Sequence, residues 1–235
     1  MHFLVIVAHP DDELLGCGGA LARWVGLGYS AHALILSDGV MSRGAGPSKQ
    51  EEVGRRKTSA RRAAQALGMS EPQFGAFPDQ RFDSVDLLDI TRTIEKAVHD
   101  LTPDVVLTHH SNDLNNDHCI THRAVLTACR PLPDSDVSLL LTFETLSSTE
   151  WGSPQQGAGF RPSLFVDISA TLDTKITGLD CYAEEMRPFP HPRSEEAVRA
   201  LAKLRGSQAG LAAAEGFEVV WARAKAGQRT GLSSL

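Results

Sequence analysis

The sequence predicts a three-layer α/β/α domain built on a mostly parallel sheet. Three observations carry that expectation. Short, almost continuous apolar runs such as 2–8 (HFLVIVA) and 104–108 (DVVLT) read as strands buried on both faces. Stretches of helical periodicity separate them. The two kinds of segment alternate through the first half of the chain, the rhythm of βαβ units whose crossover helices cover both faces of a sheet.

The elements follow in order. The run 2–8 is the first strand. A helix is expected over 14–27, where Leu14, Leu15, Leu21, Trp24, Val25 and Leu27 form an apolar stripe, and Gly28 stops it. Residues 31–36 (AHALIL) read as a second strand ending in Ser37-Asp38-Gly39, and the Gly-, Ser- and Pro-rich stretch 39–50 reads as a loop. The charged, Ala-rich segment 50–67 predicts a surface helix ending at Gly68, whose Arg55, Arg56, Lys57, Arg61 and Arg62 form a solvated face. A short strand is expected at 73–77. Ser84 is placed to cap a helix that runs to Leu101 and is broken by Pro103. The strand 104–108 leads through a polar loop, 109–116, into a helix that ends near Cys129, before Pro131. Strands at 137–143 and 164–168, helices at 171–185 and 194–208 around the proline-rich RPFPHPR, and a last strand within 215–224 complete the chain. Neither a linker nor an internal repeat divides it, so one domain over 1–235 is expected.

Bulk composition narrows the functional classes. A net charge of -6 argues against nucleic acid or anionic membrane as a partner, since both favour basic surfaces. Cys17, Cys119, Cys129 and Cys181 contain no CxxC pair, so neither a structural zinc site nor a disulfide framework is expected. Free thiols, no basic leader and no apolar run of membrane-spanning length make the cytoplasm the expected location.

In an open parallel sheet, ligands gather at the carboxyl ends of the strands. Three polar segments fall there: His9-Pro10-Asp11-Asp12-Glu13, Ser37-Asp38-Gly39, and the stretch from His109 to His118. The density of carboxylates in the first calls for a compensating cation. His9 and Asp12, three apart across a strand-to-helix turn, can point at one ion while Asp11 points elsewhere; His118, opening a later helix, can supply a third ligand. Two imidazoles and a carboxylate make a catalytic zinc set that leaves a position for water, and zinc lowers the pKa of that water toward ~7. Asp11 is then the adjacent base. A lone His-x-x-Asp is ordinarily a capped turn, and a lone Asp-His before a helix an N-cap. Spacing by itself leaves the metal site and the capped turns equally tenable.

The motifs also resemble a known family, the LmbE-like or PIG-L zinc-dependent N-deacetylases. VAHPDDELLGCGG is similar to the family's Ala-His-Pro-Asp-Asp-Glu signature, LSDGV to its second-strand motif and GAFPDQRFD to its Phe-Pro-Asp segment. THHSNDLNNDHCITHRAV resembles its Asp-His segment, and FVDISATLDTKITGLDCYAEEM and AEGFEVVWA its C-terminal pattern. The resemblance implies a Rossmann-like fold and one zinc per chain, held by His9, Asp12 and His118. Asp11 is then general base in removing an N-acetyl group from an amino sugar or its conjugate, with release of acetate. Many relatives carry a histidine where this chain has Asn115, which can donate a hydrogen bond to an oxyanion but cannot act as an acid. The resemblance therefore leaves the proton for the departing amine to Asp11 itself, to another histidine (His109, His110 or His191, the last two ranked higher), or to a neighbouring copy in a homo-oligomer. It places Arg56 and Asp79 at the substrate, with Asp79 able instead to orient a zinc ligand, Asp113 behind the ligands, and His122 in support. The loop 186–193, with Arg187, His191 and Arg193, is expected to rim the pocket together with 40–50 and 145–160.

Two competing functions are weighed. A metal-dependent phosphoesterase would hold two metals, recruiting Asp38 and Asp113. A non-enzymatic nucleotide-binding domain would use Gly16-Cys17-Gly18-Gly19, which lacks G-x-G-x-x-G spacing and lies inside the first helix, where small residues serve close packing.

Overall fold

A computed structural model describes residues 1–37 and 49–224. Seven strands form one sheet: β1 (His2–Val7), β2 (Ser30–Ser37), β3 (Gln73–Phe77), β4 (Val105–His109), β5 (Leu139–Phe143), β6 (Leu164–Asp167) and β7 (Ala214–Ala222). The helices are α1 (Asp12–Gly26), α2 (Lys49–Ala66), α3 (Leu87–Leu101), α4 (Asn116–Ala128), α5 (Leu172–Asp180) and α6 (Glu195–Ala209). The strand order is β3-β2-β1-β4-β5-β7-β6. The first five run parallel, and β7 pairs antiparallel with both β5 and β6.

Strand β1 shows why continuous apolar runs appear where they do. Phe3, Val5 and Val7 face a core shared with α1, α2, α5 and α6, while Leu4, Ile6 and Ala8 face a second core shared with α3 and α4. Alternate residues are thus buried on opposite faces, as a strand sandwiched between helix layers requires. On the first face Phe3 stacks on Trp24 with ring centroids 4.2 Å apart.

The glycines inside α1 serve this packing. A Cβ on Gly16 would fall 2.1 Å from the Phe143 ring, and one on Gly19 would fall 2.9 Å from Ile168. Side chains there would push the helix off the sheet, so GCGG serves close packing of the helix on the sheet.

Most expected boundaries hold within a residue or two. Ser84 does not cap α3: it closes a short 3-10 turn (Phe82–Ser84), and α3 starts three residues later behind Asp86. The helix expected over 171–185 stops at Asp180, and 181–185 continue as turns. Among the described residues, no helix is long and apolar enough to cross a membrane.

The topology fixes where a ligand can enter. Chain order reverses between β1 and β4, with β2 lying outside one and β5 outside the other. The crevice beyond the carboxyl ends of β1 and β4 is the switch point of the sheet, where open α/β folds bind ligands. His9 through Glu13 follow β1 there, and the segment 110–118 follows β4.

Candidate metal centre

His9, Asp12 and His118 converge at the switch point, all three buried. His9 Nδ1 lies 3.3 Å from His118 Nε2 and 3.3 Å from Asp12 Oδ2, and Asp12 Oδ2 lies 3.2 Å from His118 Nε2. An ion bonded to three such atoms at ~2.0–2.1 Å in tetrahedral geometry would set them ~3.4 Å apart, close to this triangle. The other carboxylate oxygen, Asp12 Oδ1, is buried without a hydrogen-bond partner. A buried carboxylate oxygen left bare is costly unless a cation meets it. The donor set and the bare oxygen both fit a divalent metal.

Each imidazole has a carboxylate on its far nitrogen. His118 Nδ1 lies 3.2 Å from Asp113, which also accepts hydrogen bonds from the hydroxyls of Ser148 and Thr149. His9 Nε2 lies 3.1 Å from Asp117 and 3.2 Å from Asp79. Asp117 is held in turn by the backbone N–H groups of Gln80 and Phe82. Such partners fix the ring orientation of metal-binding histidines and raise their basicity. His9, Asp79 and Asp117, an imidazole and two carboxylates, also form a second group with ligand spacing. It shares His9 with the first through the opposite ring nitrogen, and the fixed geometry of Asp117 suits it to orienting that ring.

Charge in this pocket is strongly biased. Burial favours neutral His9 and His118, yet Asp117 and Asp12 outweigh it at His9, and Asp12 and Asp113 at His118. Their pKa values rise to about 10 and about 9. Burial likewise opposes ionisation of Asp12, but the charge and hydrogen bond of His118, with the hydrogen bond of His9, hold it well below the ordinary carboxylate range.

Asp11 sits at φ 106, in the left-handed region a non-glycine residue rarely enters. Glu13 stabilises this turn: its carboxylate accepts the Asp11 N–H at 3.1 Å and the Tyr182 hydroxyl at 2.6 Å. The three adjacent carboxylates therefore divide their tasks, with Asp12 facing the imidazoles, Glu13 fixing the backbone and Asp11 meeting Arg193. Burial pushes the Asp11 carboxyl up to about 7, against the pull of Arg193, whose Nη1 lies 2.7 Å from it. Arg193 also reaches Glu185 at 3.6 Å, and Glu185 pairs with Arg56. Arg56, expected at the substrate, is thus tied into a charge chain ending on Asp11.

The remaining candidates are placed as follows. Asp79 joins His9, the orienting alternative expected for it. His122 donates from Nδ1 to the His109 carbonyl at 2.9 Å and so supports the β4 terminus. His109 is stacked on His118, centroids 3.8 Å apart; its Nε2 accepts the Ala8 N–H, and burial holds it neutral. The side-chain carbonyl of Asn115 is occupied as the N-cap of α4, accepting the Asp117 N–H at 2.9 Å. His110, ranked as a proton donor on its loop position, is buried with both ring nitrogens committed, Nδ1 to Glu218 at 2.8 Å and Nε2 to the Ala158 carbonyl at 3.1 Å. That leaves neither nitrogen free to hand over a proton. His191 is half-buried in the 186–193 loop and its Nδ1 accepts the Arg193 N–H. Asp38 and the rest of the second-strand motif beyond Ser37 lie outside the described residues, as does the rim loop expected at 40–50 as far as residue 48.

The His110 pair has a measurable consequence. Burial lowers the His110 pKa, but Glu218 and the Ala158 carbonyl reverse this and raise it above the ordinary value. A raised folded pKa stabilises fully below the unfolded value of ~6.5, and the contribution disappears as pH rises through the folded value. His110→Gln is therefore expected to lower the melting temperature more near pH ~6 than near pH ~9. An equal loss at both would show that His110 acts by packing alone.

Residues 4–129 match the family model described as "PIG-L: GlcNAc-PI de-N-acetylase". A 2'-N-acetylparomamine deacetylase of Streptomyces fradiae is 27% identical over 264 residues, covering 96% of this chain and 91% of the relative. An "uncharacterized deacetylase", YaiS of Escherichia coli (strain K12), is 29% identical, with 70% and 80% covered. The 4-oxalmesaconate hydratase of Pseudomonas putida is 28% identical, with 77% and 72% covered. Among solved structures, the conserved protein TT1542 of Thermus thermophilus superposes with a TM-score of 0.75 at 26% identity, over 97% of this chain and 98% of that one.

Proposed function

The chain belongs to the PIG-L de-N-acetylase family, and we propose that it is a zinc-dependent hydrolase that removes the N-acetyl group from an amino sugar or amino-sugar conjugate in the cytoplasm. One observation carries the reading: two imidazoles and a carboxylate from distant parts of the chain converge, and the second oxygen of that carboxylate is buried without a hydrogen-bond partner. His9, Asp12 and His118 would hold the metal. Bound there, zinc supplies a Lewis acid for the acetamide carbonyl and makes water a better nucleophile near neutral pH.

The chain's own residues do the rest. Asp11 accepts the proton of the attacking water at its carboxylate, which Arg193 and the Glu13-braced turn aim. The amine must leave protonated. With Asn115 used as a helix cap and both His110 nitrogens engaged, Asp11 returns the proton it took. Asp113 and Asp117 hold the two imidazoles in register through their far nitrogens.

The hydratase relative supports a second reading, addition of water across a conjugated carbon–carbon double bond with Asp11 again as base. A two-metal phosphoesterase is less well supported, because Asp113 is already engaged by His118, Ser148 and Thr149. The deciding experiment offers zinc-loaded protein a panel of N-acetyl amino sugars, free and conjugated, and 4-oxalmesaconate. Acetate release is expected. Consumption of 4-oxalmesaconate without acetate from any sugar would establish the hydratase instead.

A further inference from the structure

We propose that the turn 181–185, which follows α5, is a positioning device for Asp11: Tyr182 fixes the backbone of the base, and Glu185 fixes the cation paired with its carboxylate. The inference rests on the hydrolase reading above, in which Asp11 is the base, and adds two residues that act through it. Asp11 needs holding at both places. Its backbone sits at φ 106, and a residue strained in this way persists only where its surroundings over-determine it. Its side chain makes no capping bond to α1, so the helix start does not aim the carboxylate. A base misplaced by about 1 Å can lose orders of magnitude in rate.

The first tether reaches the backbone. The Tyr182 hydroxyl donates to Glu13 Oε1 at 2.6 Å, and Glu13 Oε2 accepts the Asp11 N–H at 3.1 Å. Tyr182 and Glu13 are both buried, and among the described residues the phenol is the partner that Oε1 has. A buried carboxylate oxygen without a donor is costly. Deprived of the phenol, Glu13 would turn toward another donor and release the Asp11 N–H. The phenol itself is committed to Glu13 inside the protein, so Tyr182 acts on the reaction through Asp11.

The second tether reaches the side chain. Arg193 Nη1 lies 2.7 Å from Asp11 Oδ2 and 3.6 Å from Glu185 Oε2, so one guanidinium nitrogen is shared between the base and the turn. Glu185 is buried and is itself paired with Arg56. Arg193 Nε donates to the Ser147 hydroxyl at 2.7 Å. The planar guanidinium is therefore held on its far side as well as by Asp11.

The two tethers form one unit. The Glu185 N–H donates to the Tyr182 carbonyl at 2.8 Å, and the Tyr182 N–H donates to the Leu179 carbonyl of α5 at 2.8 Å. The turn is rooted in the core: a Cβ on Gly178 would fall 2.6 Å from Leu14 and 2.7 Å from Leu67, so α5 lies hard against α1 and α2. Leu14 belongs to the helix that Asp11 precedes, so the turn and the base rest on the same element.

The test uses Tyr182→Phe and Glu185→Gln in the full zinc-loaded chain. Each is expected to lower kcat for acetate release about tenfold. In Tyr182→Phe, KM should stay within about twofold and zinc at wild-type content. Added to Asp11→Asn, either substitution should cost less than about twofold more, because the group it positions is already gone. Thr91→Val removes a buried hydroxyl on α3, bonded to the Leu87 carbonyl, and should leave kcat at the wild-type value. A kcat within twofold of wild type in either single variant, losses that multiply in full with Asp11→Asn, zinc lost from Tyr182→Phe, or an equal fall in Thr91→Val overturns the proposal. Should the wild type release no acetate, the deacetylase reading fails on its own. The device is then judged by amide hydrogen exchange: the Asp11 N–H should exchange faster in Tyr182→Phe than in the wild type, and equal rates overturn it.

Discussion

Asp11→Asn is expected to lower kcat/KM for acetate release by about 10²–10⁴, the usual contribution of a positioned general base, while metal content and folding stay at wild-type levels. Asparagine tolerates left-handed backbone better than most residues, so the turn at φ 106 survives the change. It also keeps the size of the side chain beside Arg193, and it cannot take a proton from water. His191→Gln is the contrasting variant. Its Nδ1 is taken up by the Arg193 N–H and Asp11 already returns the proton, so kcat should stay within about threefold of wild type. Steady-state kinetics with metal analysis on the same preparations checks both. Asp11→Asn retaining more than a tenth of the activity would remove Asp11 from the reaction, and a large loss in His191→Gln would transfer the proton-donor role to His191.

Lys175→Met is expected to cost about 3–5 kcal/mol of stability, the penalty for leaving a buried charge without its partner. Lys175 is buried and donates to the Leu15 carbonyl at 2.8 Å and to Glu215 at 2.6 Å. Glu215 in turn accepts the N–H groups of Gly19 and Ala20, at 3.0 and 2.7 Å. The reason lies in α1, which is broken at Cys17, where φ is -146 and ψ 19. Its second half begins there with unsatisfied donors, and a helix N-terminus favours an anion. Glu215 caps this internal start, and Lys175 neutralises the cap. A domain of ordinary stability has ~5–15 kcal/mol to lose, so the variant should unfold at a markedly lower urea midpoint. Lys175→Met/Glu215→Gln should recover part of the loss, because the neutral amide still accepts one N–H and no charge is stranded. A single-variant cost below about 1 kcal/mol would show that water or another group solvates Glu215.

The layered sheet was legible because burial on both faces forces continuous apolar strands, and crossover helices force the alternation. Individual boundaries were less so. Ser84 has a capping side chain, but the chain spends it on a 3-10 turn beside Phe82, which is buried in the second core. The segment 181–185 has helical composition, yet Tyr182 leaves the helix to hydrogen-bond Glu13, a tertiary contact that overrides local preference. The same limit applied to the site. His9, Asp12 and His118 were readable because strand ends bring them to one edge. Glu13, Asp117, Glu185 and Ser148 were not, because each acts through a partner far away in sequence. Glu13 carried a signal as the last carboxylate of the Asp-Asp-Glu run, and Asp117 as a carboxylate directly before His118 at a helix start. Asn115 marked that helix start just as visibly, and its N-cap role needed no partner beyond Asp117. His110 showed the opposite error: a loop position suggested a free imidazole, and Glu218, 108 residues away, holds it.

Metal content measured by atomic emission, together with acetate release before and after chelation, tests the central claim most directly. The account predicts one zinc per chain in the wild type, retention in Asp11→Asn, and loss in His9→Ala, Asp12→Ala and His118→Ala. It further predicts turnover that chelation abolishes and zinc restores. Two ions per chain, zinc undiminished in the three alanine variants, or full turnover after exhaustive chelation would contradict it.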